Sequence, residues 1–266
     1  MRFSANISLL YTEVSFLERF AQAARSGFRA VEFWWPRGED LGRVEDAVRD
    51  AGLEVALFNF DAGDMPSGDR GLLSDPARHD GFRANVPAAL GLAERLGCTR
   101  LNALVGLALP GLEREEQLAL ARENVARAAD DAAKIGAEVL IEAVNTFENG
   151  PYLLSRTTDA ADFVRDVGRP NVRLQYDVYH MQRMEGNLAA TITAHLPLIG
   201  HIQIADSPGR GEPGTGEINF GYLFRLIDDL GYDGYVGLEY RPSAGSTEDS
   251  LAWLPREARG RTGAPL

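Results

Sequence analysis

Cysteine, lysine and histidine are all scarce in this chain, and each shortage removes a class of function. A single cysteine, Cys98, among 266 residues cannot close an intrachain disulfide, which fits a reducing compartment. It carries no nucleophile motif, and in RLGCTR it falls at a predicted helix end, the place of a structural thiol. Lys134 is the one lysine, near the end of the helical run REEQLALARENVARAADDAAKIG, where a cation suits the helix dipole. A Schiff-base barrel aldolase needs its lysine on an inward-facing strand, so that chemistry drops out. Four histidines and a net charge of −12 speak against a multi-zinc endonuclease, against nucleic acid and against an anionic membrane. No apolar stretch is long enough for a membrane span, and MRFSANISLLYTEVSF is interrupted too soon for a signal peptide; a cytoplasmic protein is expected.

What the chain does contain is a repeated alternation of short apolar runs with amphipathic ones, the pattern of βα units on a parallel sheet. Strands are expected near 2–8, 30–35, 54–60, 100–106, 138–144, 172–179, 199–205 and 235–240. Between them lie helical patterns such as FLERFAQAARSG, FRANVPAALGLAERLG and FGYLFRLIDDLG, several ending in a glycine where a C-cap belongs. Eight strands with connections long enough for right-handed crossovers predict an α/β fold, a (β/α)8 TIM barrel forming a single domain over residues 1–258. A doubly wound sheet is the alternative. The last residues, 259–266, lack periodicity and read as a mobile tail.

Four polar residues interrupt four of the apolar runs: Glu142 in EVLIEAV, Asp177 in VRLQYDVYH, Gln203 in HIQIAD and Glu239 in YVGLEYRP. Burying them unpaired costs several kcal/mol each, about the penalty for a polar group without a partner, unless something binds them. Three carboxylates and an amide are oxygen ligands for a hard divalent cation, with magnesium or manganese preferred. Their spacings of 35, 26 and 36 residues each match about one βα unit of roughly 30 residues, so they fall on the fifth to eighth strands. Each lies toward the C-terminal end of its strand, the catalytic face of this barrel.

The segments RFSANISLLYTEVSFLERFAQAARSGFRAVEF, FNFDAGDMPSGDRG, LIEAVN, DVYHMQRMEGNL, HIQIADSPGRGEPGTGEINF and GYVGLEYRP together resemble the hydroxypyruvate isomerase family of sugar isomerase- and epimerase-like TIM barrels. The resemblance runs to about Pro242, and HIQIADSPGRGEPGTGEINF is its most specific part. It implies a divalent metal held by Glu142, Asp177, Gln203 and Glu239, with Glu142 and Glu239 also placed as the catalytic proton carriers. The chemistry agrees: interconverting hydroxypyruvate and 2-hydroxy-3-oxopropanoate through an enediolate requires a proton taken from one carbon and returned to its neighbour.

Charge counting adds a residue. Three carboxylates and a divalent ion leave one negative charge, and an acid substrate brings another, so a cation is needed. Arg210, in the loop after the Gln203 strand, is the candidate for gripping the substrate carboxylate. His180, three residues after Asp177, is a second candidate substrate-binding residue, polarising an oxygen or relaying its proton, whereas His201 lies deeper and reads as packing. Gly209, Gly211 and Gly214 spell GxGxxG, but Pro213 and Gly216 interrupt it and the helix starts only near Asn219, so a loop over the metal is expected instead.

Glu32 in AVEFWWP looks like the four ligands but is expected to hydrogen-bond at the barrel mouth, and Asn6, Asn59 and Asn102 are placed to line the floor. FWWPRG, Ala143, Val144 and Asp61 depart from the family pattern, which leaves substrate identity open among hydroxypyruvate, a 2-oxotetronate and a ketose for 3-epimerisation. The expected partner is a small anionic hydroxy-keto acid or sugar acid; a homo-oligomer is allowed by the sequence. A metal-binding barrel without turnover is the reading from a different class, and paired proton carriers argue against it.

Overall fold

The eight apolar runs each form a strand, and every strand hydrogen-bonds to the next in chain order until the last returns to the first. In the computed structural model, which describes residues 1–243 and 245–260, these are β1 (Arg2–Asn6), β2 (Ala30–Phe33), β3 (Glu54–Asn59), β4 (Arg100–Asn102), β5 (Glu138–Glu142), β6 (Val172–Asp177), β7 (Ile199–Ile204) and β8 (Tyr235–Leu238). All pairings are parallel and the barrel is closed in the order β1-β2-β3-β4-β5-β6-β7-β8. This is the TIM barrel, in a single domain, that the alternation of patterns predicted.

Several strands stop before their apolar runs do. Past Asn102 the run continues as ALVG, but there Val105 accepts from the Ser74 amide and Gly106 from the Leu153 amide, so it is buried against rim loops rather than in the ladder. Burial and strand pairing give the same sequence pattern. The outer layer comprises helices Phe16–Arg25, Leu41–Ala51, His79–Leu96, Arg114–Ala132, Thr157–Val167, Leu188–His195 and Phe220–Asp229. Gly52, Gly97 and Gly168 end three of them in the left-handed conformation, while Asp40 and Asn219 cap two N-termini by accepting from Arg43 and Tyr222.

An aromatic chain from Phe16 through Phe20 and Phe33 to Phe58, with centroids 5.5 to 5.7 Å apart, joins the first helix to β2 and β3. Each such contact contributes about 1 kcal/mol beyond its buried area. Cys98 is buried with its thiol donating to the Arg100 carbonyl and its pKa pushed up to about 12 by burial, an inert thiol. Lys134 is exposed and pairs with Asp131. Arg259, assigned from the sequence to the tail, is instead buried and donates to the carbonyls of Ser26 and Leu254 and to Glu248; residues 261–266 lie outside the described residues. Among the described residues no helix is long and apolar enough to cross a membrane.

Candidate active site

The strand ends carry the four residues singled out by their setting. β5 ends on Glu142 and β6 on Asp177, Gln203 is the penultimate residue of β7, and Glu239 follows β8 directly. Their register is stepped rather than flat. Glu142 pairs with Gln175, two residues below Asp177; Asp177 pairs with Gln203; and Gln203 pairs with Gly237, two below Glu239. Steps of two keep every side chain on the same face of the pleat, so all four point into the barrel.

Glu142, Asp177 and His180 offer atoms within 4.8 Å of one another, a group that could hold a metal ion. His180 Nε2 lies 3.8 Å from Glu142 and 3.7 Å from Asp177. Burial, then the charges of Glu239 and Asp177, hold the Glu142 carboxyl well above its ordinary range, although Asn102 donates to it at 2.8 Å. Asp177 is raised too, by burial. One of its oxygens accepts the amides of Tyr179 and His180, capping the helix Val178–Met184 that starts straight off the strand. The cap uses one carboxylate oxygen and leaves the second for the site.

Glu239 is held from three sides. Asn6 donates at 3.2 Å and the Trp34 indole at 2.9 Å to one oxygen, and Arg210 donates at 2.5 Å to the other. Burial nonetheless raises its pKa to about 7, against the opposing effect of Arg210. Trp34 thus belongs to the site, whereas Trp35 packs against Phe58.

Beneath these lies a second polar layer. Glu32, fully buried, accepts from Ser4 at 2.7 Å, Asn6 at 3.2 Å, Gln203 at 2.6 Å and, at 2.8 Å, meets Nε2 of His201. β2 and β7 are not neighbours, so the bonds to Gln203 and His201 cross the barrel interior. Burial opposes ionisation of Glu32, yet His201 and the donated hydrogen bonds hold its pKa below normal. Gln203 gives its amide N–H to Glu32 and accepts from Gln175 at 2.6 Å, which leaves one lone pair of its carbonyl oxygen uncommitted among the described residues. Glu32 therefore forms the floor and not the mouth, and the Glu32–His201 pair is what fixes the amide.

His180 is positioned from behind. Asn145 accepts the Glu148 amide through its oxygen, which orients its NH2 toward Nδ1 of His180 at 2.7 Å. Nδ1 is then the acceptor and the ring proton sits on Nε2, facing the carboxylates. Burial, with Arg210 nearby, pushes the His180 pKa well below its usual value, so the ring is neutral and donates.

Comparison with known proteins gives a consistent assignment. A family model described as xylose isomerase-like TIM barrel matches residues 20–257. Hydroxypyruvate isomerase of Escherichia coli K12 is 44% identical over 254 residues, covering 96% of this chain and 98% of that one. The 2-oxo-tetronate isomerase of Cupriavidus necator is 44% identical over 253 residues, covering 95% and 97%. The chain belongs to the hydroxypyruvate isomerase family of xylose isomerase-like TIM barrels. It is an isomerase. A crystal structure titled AP endonuclease, family 2, from Brucella melitensis superposes with a TM-score of 0.90 at 41% identity, covering 95% of this chain and 97% of that one.

In the isomerase Glu142 and Glu239 line a cavity of about 270 Å³, walled also by Trp34, Arg70, Glu148, His180 and Arg210 among others. Arg210 reaches it because the loop after β7 is wound around a buried anion. Asp206 accepts from the amides of Ser207, Gly214, Gly216 and Ile218, and Arg210 turns inward at φ +56 with its guanidinium 5.3 Å over the Tyr179 ring. The GxGxxG is thus a loop, and the helix after it starts at Phe220. Sequence reasoning passed over Asp206, Asn145, Glu148 and Arg70. The readable signal for Asp206 was an aspartate three residues past a ligand-bearing strand position, ahead of a glycine-rich loop. Nothing local marks Arg70 or Asn145.

Proposed function

We propose that this isomerase interconverts hydroxypyruvate and 2-hydroxy-3-oxopropanoate with the help of a divalent metal ion, magnesium or manganese. The observation that carries the reading is a pair of buried carboxyls with raised pKa, Glu142 and Glu239, facing one small cavity that also holds Arg210. A carboxyl held above its ordinary range is suited to take a proton from carbon and to return it.

The donor set suits the metal. Glu142, Asp177 and Glu239 are buried beside one another with Arg210 as the cation among them, and the Gln203 carbonyl oxygen accepts only from Gln175 among the described residues. These four would hold the ion, which when bound stabilises negative charge growing on the two adjacent substrate oxygens. The Glu142 and Glu239 carboxylates carry the proton: it is taken from C3 of hydroxypyruvate and returned to C2 while the hydroxyl proton passes from the C3 oxygen to the C2 oxygen, so that both carboxylates end as they began. His180 Nε2–H donates to a substrate oxygen, and Arg210 binds the substrate on the Glu239 side. The relative from C. necator supports a close second reading, the four-carbon 2-oxotetronate, since its identity equals that of the E. coli relative.

Incubating metal-loaded protein with hydroxypyruvate, 2-oxotetronates and free ketoses in deuterated water, followed by NMR, tests this. Deuterium entry and product formation are expected for the acids, lost on chelation and restored by magnesium or manganese. Glu142→Gln and Glu239→Gln are each expected to lower kcat about 100-fold or more. Exchange confined to free ketoses, or full turnover with chelator present, would overturn the assignment.

A further inference from the structure

The charge at the site closes without the substrate and fails to close with it. Three carboxylates against a divalent ion leave one negative charge, which Arg210 cancels through its bond to Glu239. Glu148, the other acid of the cavity wall, has its own partners in the Tyr179 hydroxyl at 2.7 Å and the nearby Arg183. A substrate carboxylate then needs a cation that is not already committed.

Arg70 meets that requirement. It lines the same cavity from the loop after β3. Its Nε donates to Asn149 at 2.6 Å, and its Nη1 donates to the carbonyls of Met65 at 3.0 Å and Asp69 at 2.6 Å. Nη2 has no hydrogen-bond partner among the described residues. Asp69, its neighbour in sequence, is turned away by a two-pronged pair with Arg78 at 2.6 and 2.5 Å. The guanidinium is therefore oriented on one edge and open on the other. Beyond its own loop, the charges it feels most are Arg210 and Arg241, so it stands in a positive field that favours an anion.

The loop is built to bring it there. Gly71 has φ +116, and a Cβ on it would lie 2.0 Å from the Leu104 carbonyl oxygen, so only glycine lets the chain after Arg70 press against the exit of β4. Asn149 belongs to the turn that carries Glu148, and through it the guanidinium is tied to the β5 loop as well as to its own.

We propose that Arg70 is the residue that reads the carboxylate of the substrate, through the open edge of its guanidinium, and so selects keto acids over neutral ketoses. Arg210, already bonded to Glu239, faces the reacting end. This role rests on the acid-isomerase reading above and adds the subsite that distinguishes its substrates.

The test compares hydroxypyruvate with dihydroxyacetone, which keeps the carbonyl and hydroxymethyl groups and replaces the carboxylate by a second hydroxymethyl. In the wild type, hydroxypyruvate is expected to be far the better substrate. Arg70→Met should raise KM for hydroxypyruvate about 10- to 100-fold, the scale of lost charge-assisted hydrogen bonds. Its kcat should change less, its proton exchange with dihydroxyacetone should stay within about threefold of wild type, and its manganese affinity by calorimetry should be unchanged. Arg70→Lys should recover part of the loss and guards against a variant that fails to fold. An unchanged KM, or an equal loss on both substrates, would overturn the role of Arg70 while leaving the isomerase reading intact. Wild-type enzyme that handles dihydroxyacetone as well as hydroxypyruvate would overturn both.

Discussion

At the scale of single residues the site depends on side chains that never meet the substrate. Glu32 lies where β8 makes room for it: a Cβ on Gly237 would fall 2.2 Å from the Glu32 carboxylate, inside a closed barrel with no free space to yield. Gly237→Ala is accordingly expected to cost about 3 kcal/mol or more in urea unfolding, at the upper end for overpacking. A loss under about 0.5 kcal/mol would mean that the lower layer is soft. Asn145 acts in the same indirect way on His180. Asn145→Ala should free Nδ1 and let the two ring tautomers mix, visible in the 15N shifts of His180, with kcat lowered about tenfold, less than the loss of the proton donor itself. Unchanged 15N shifts would remove Asn145 from the mechanism. Asn145 is not conspicuous in sequence, and Glu32 shows there only as one more polar residue in an apolar run, because the bonds that give each its meaning reach to other elements.

At the scale of elements, the rim loops decide what the strand ends can do. The loop after β7 is held by four amides converging on Asp206, which costs little when satisfied and much when the anion is removed. Asp206→Ala should loosen residues 207–218 to proteolysis and lower kcat/KM about 10-fold or more by releasing Arg210, the scale of a lost substrate-positioning group. Manganese binding should change far less. Equal proteolysis of mutant and wild type would show that the loop holds its shape without Asp206. Two departures from the family pattern, the Arg of FWWPRG and the Asp of NFDAGD, meet each other: Arg37 donates to Asp61 at 2.6 and 2.7 Å, tying the loops after β2 and β3. Asp61 is thus a partner for Arg37, while Trp34 and Val144 are the altered residues that face the cavity.

For the whole molecule the relevant quantity is the charge gathered at one end of a barrel. Burial raises Glu142, Asp177 and Glu239 together, the last from 4.5 to about 7. A carboxyl whose folded pKa lies above its unfolded one keeps a proton that the unfolded chain has already lost. Its contribution is full below about 4.5 and is lost as pH rises through about 7. Metal-free protein should therefore lose thermal stability over that window. Bound magnesium or manganese replaces the protons, so the rise in Tm on adding metal should grow from pH 5 to 8, and calorimetry in buffers of different ionisation enthalpy should detect proton release. A metal-induced rise that does not vary with pH would contradict the raised carboxyls.

The barrel was legible in the alternation of apolar runs and helical patterns, because strands covered on both faces leave a mark in every residue. Glu142, Asp177, Gln203 and Glu239 were legible for a related reason: a polar group in an apolar run is an anomaly that local sequence displays. The order of the layers was not. The depth of Glu32, the proton on Nε2 of His180, the commitment of Arg210 to Glu239 and the open edge of Arg70 each depend on residues from separate strands and loops. Sequence by itself determined the barrel, the family and the strands on which the four polar residues stand. Only the tertiary structure decided which groups are already paired and which are left for a ligand, since hydrogen bonding is settled between elements that are distant along the chain.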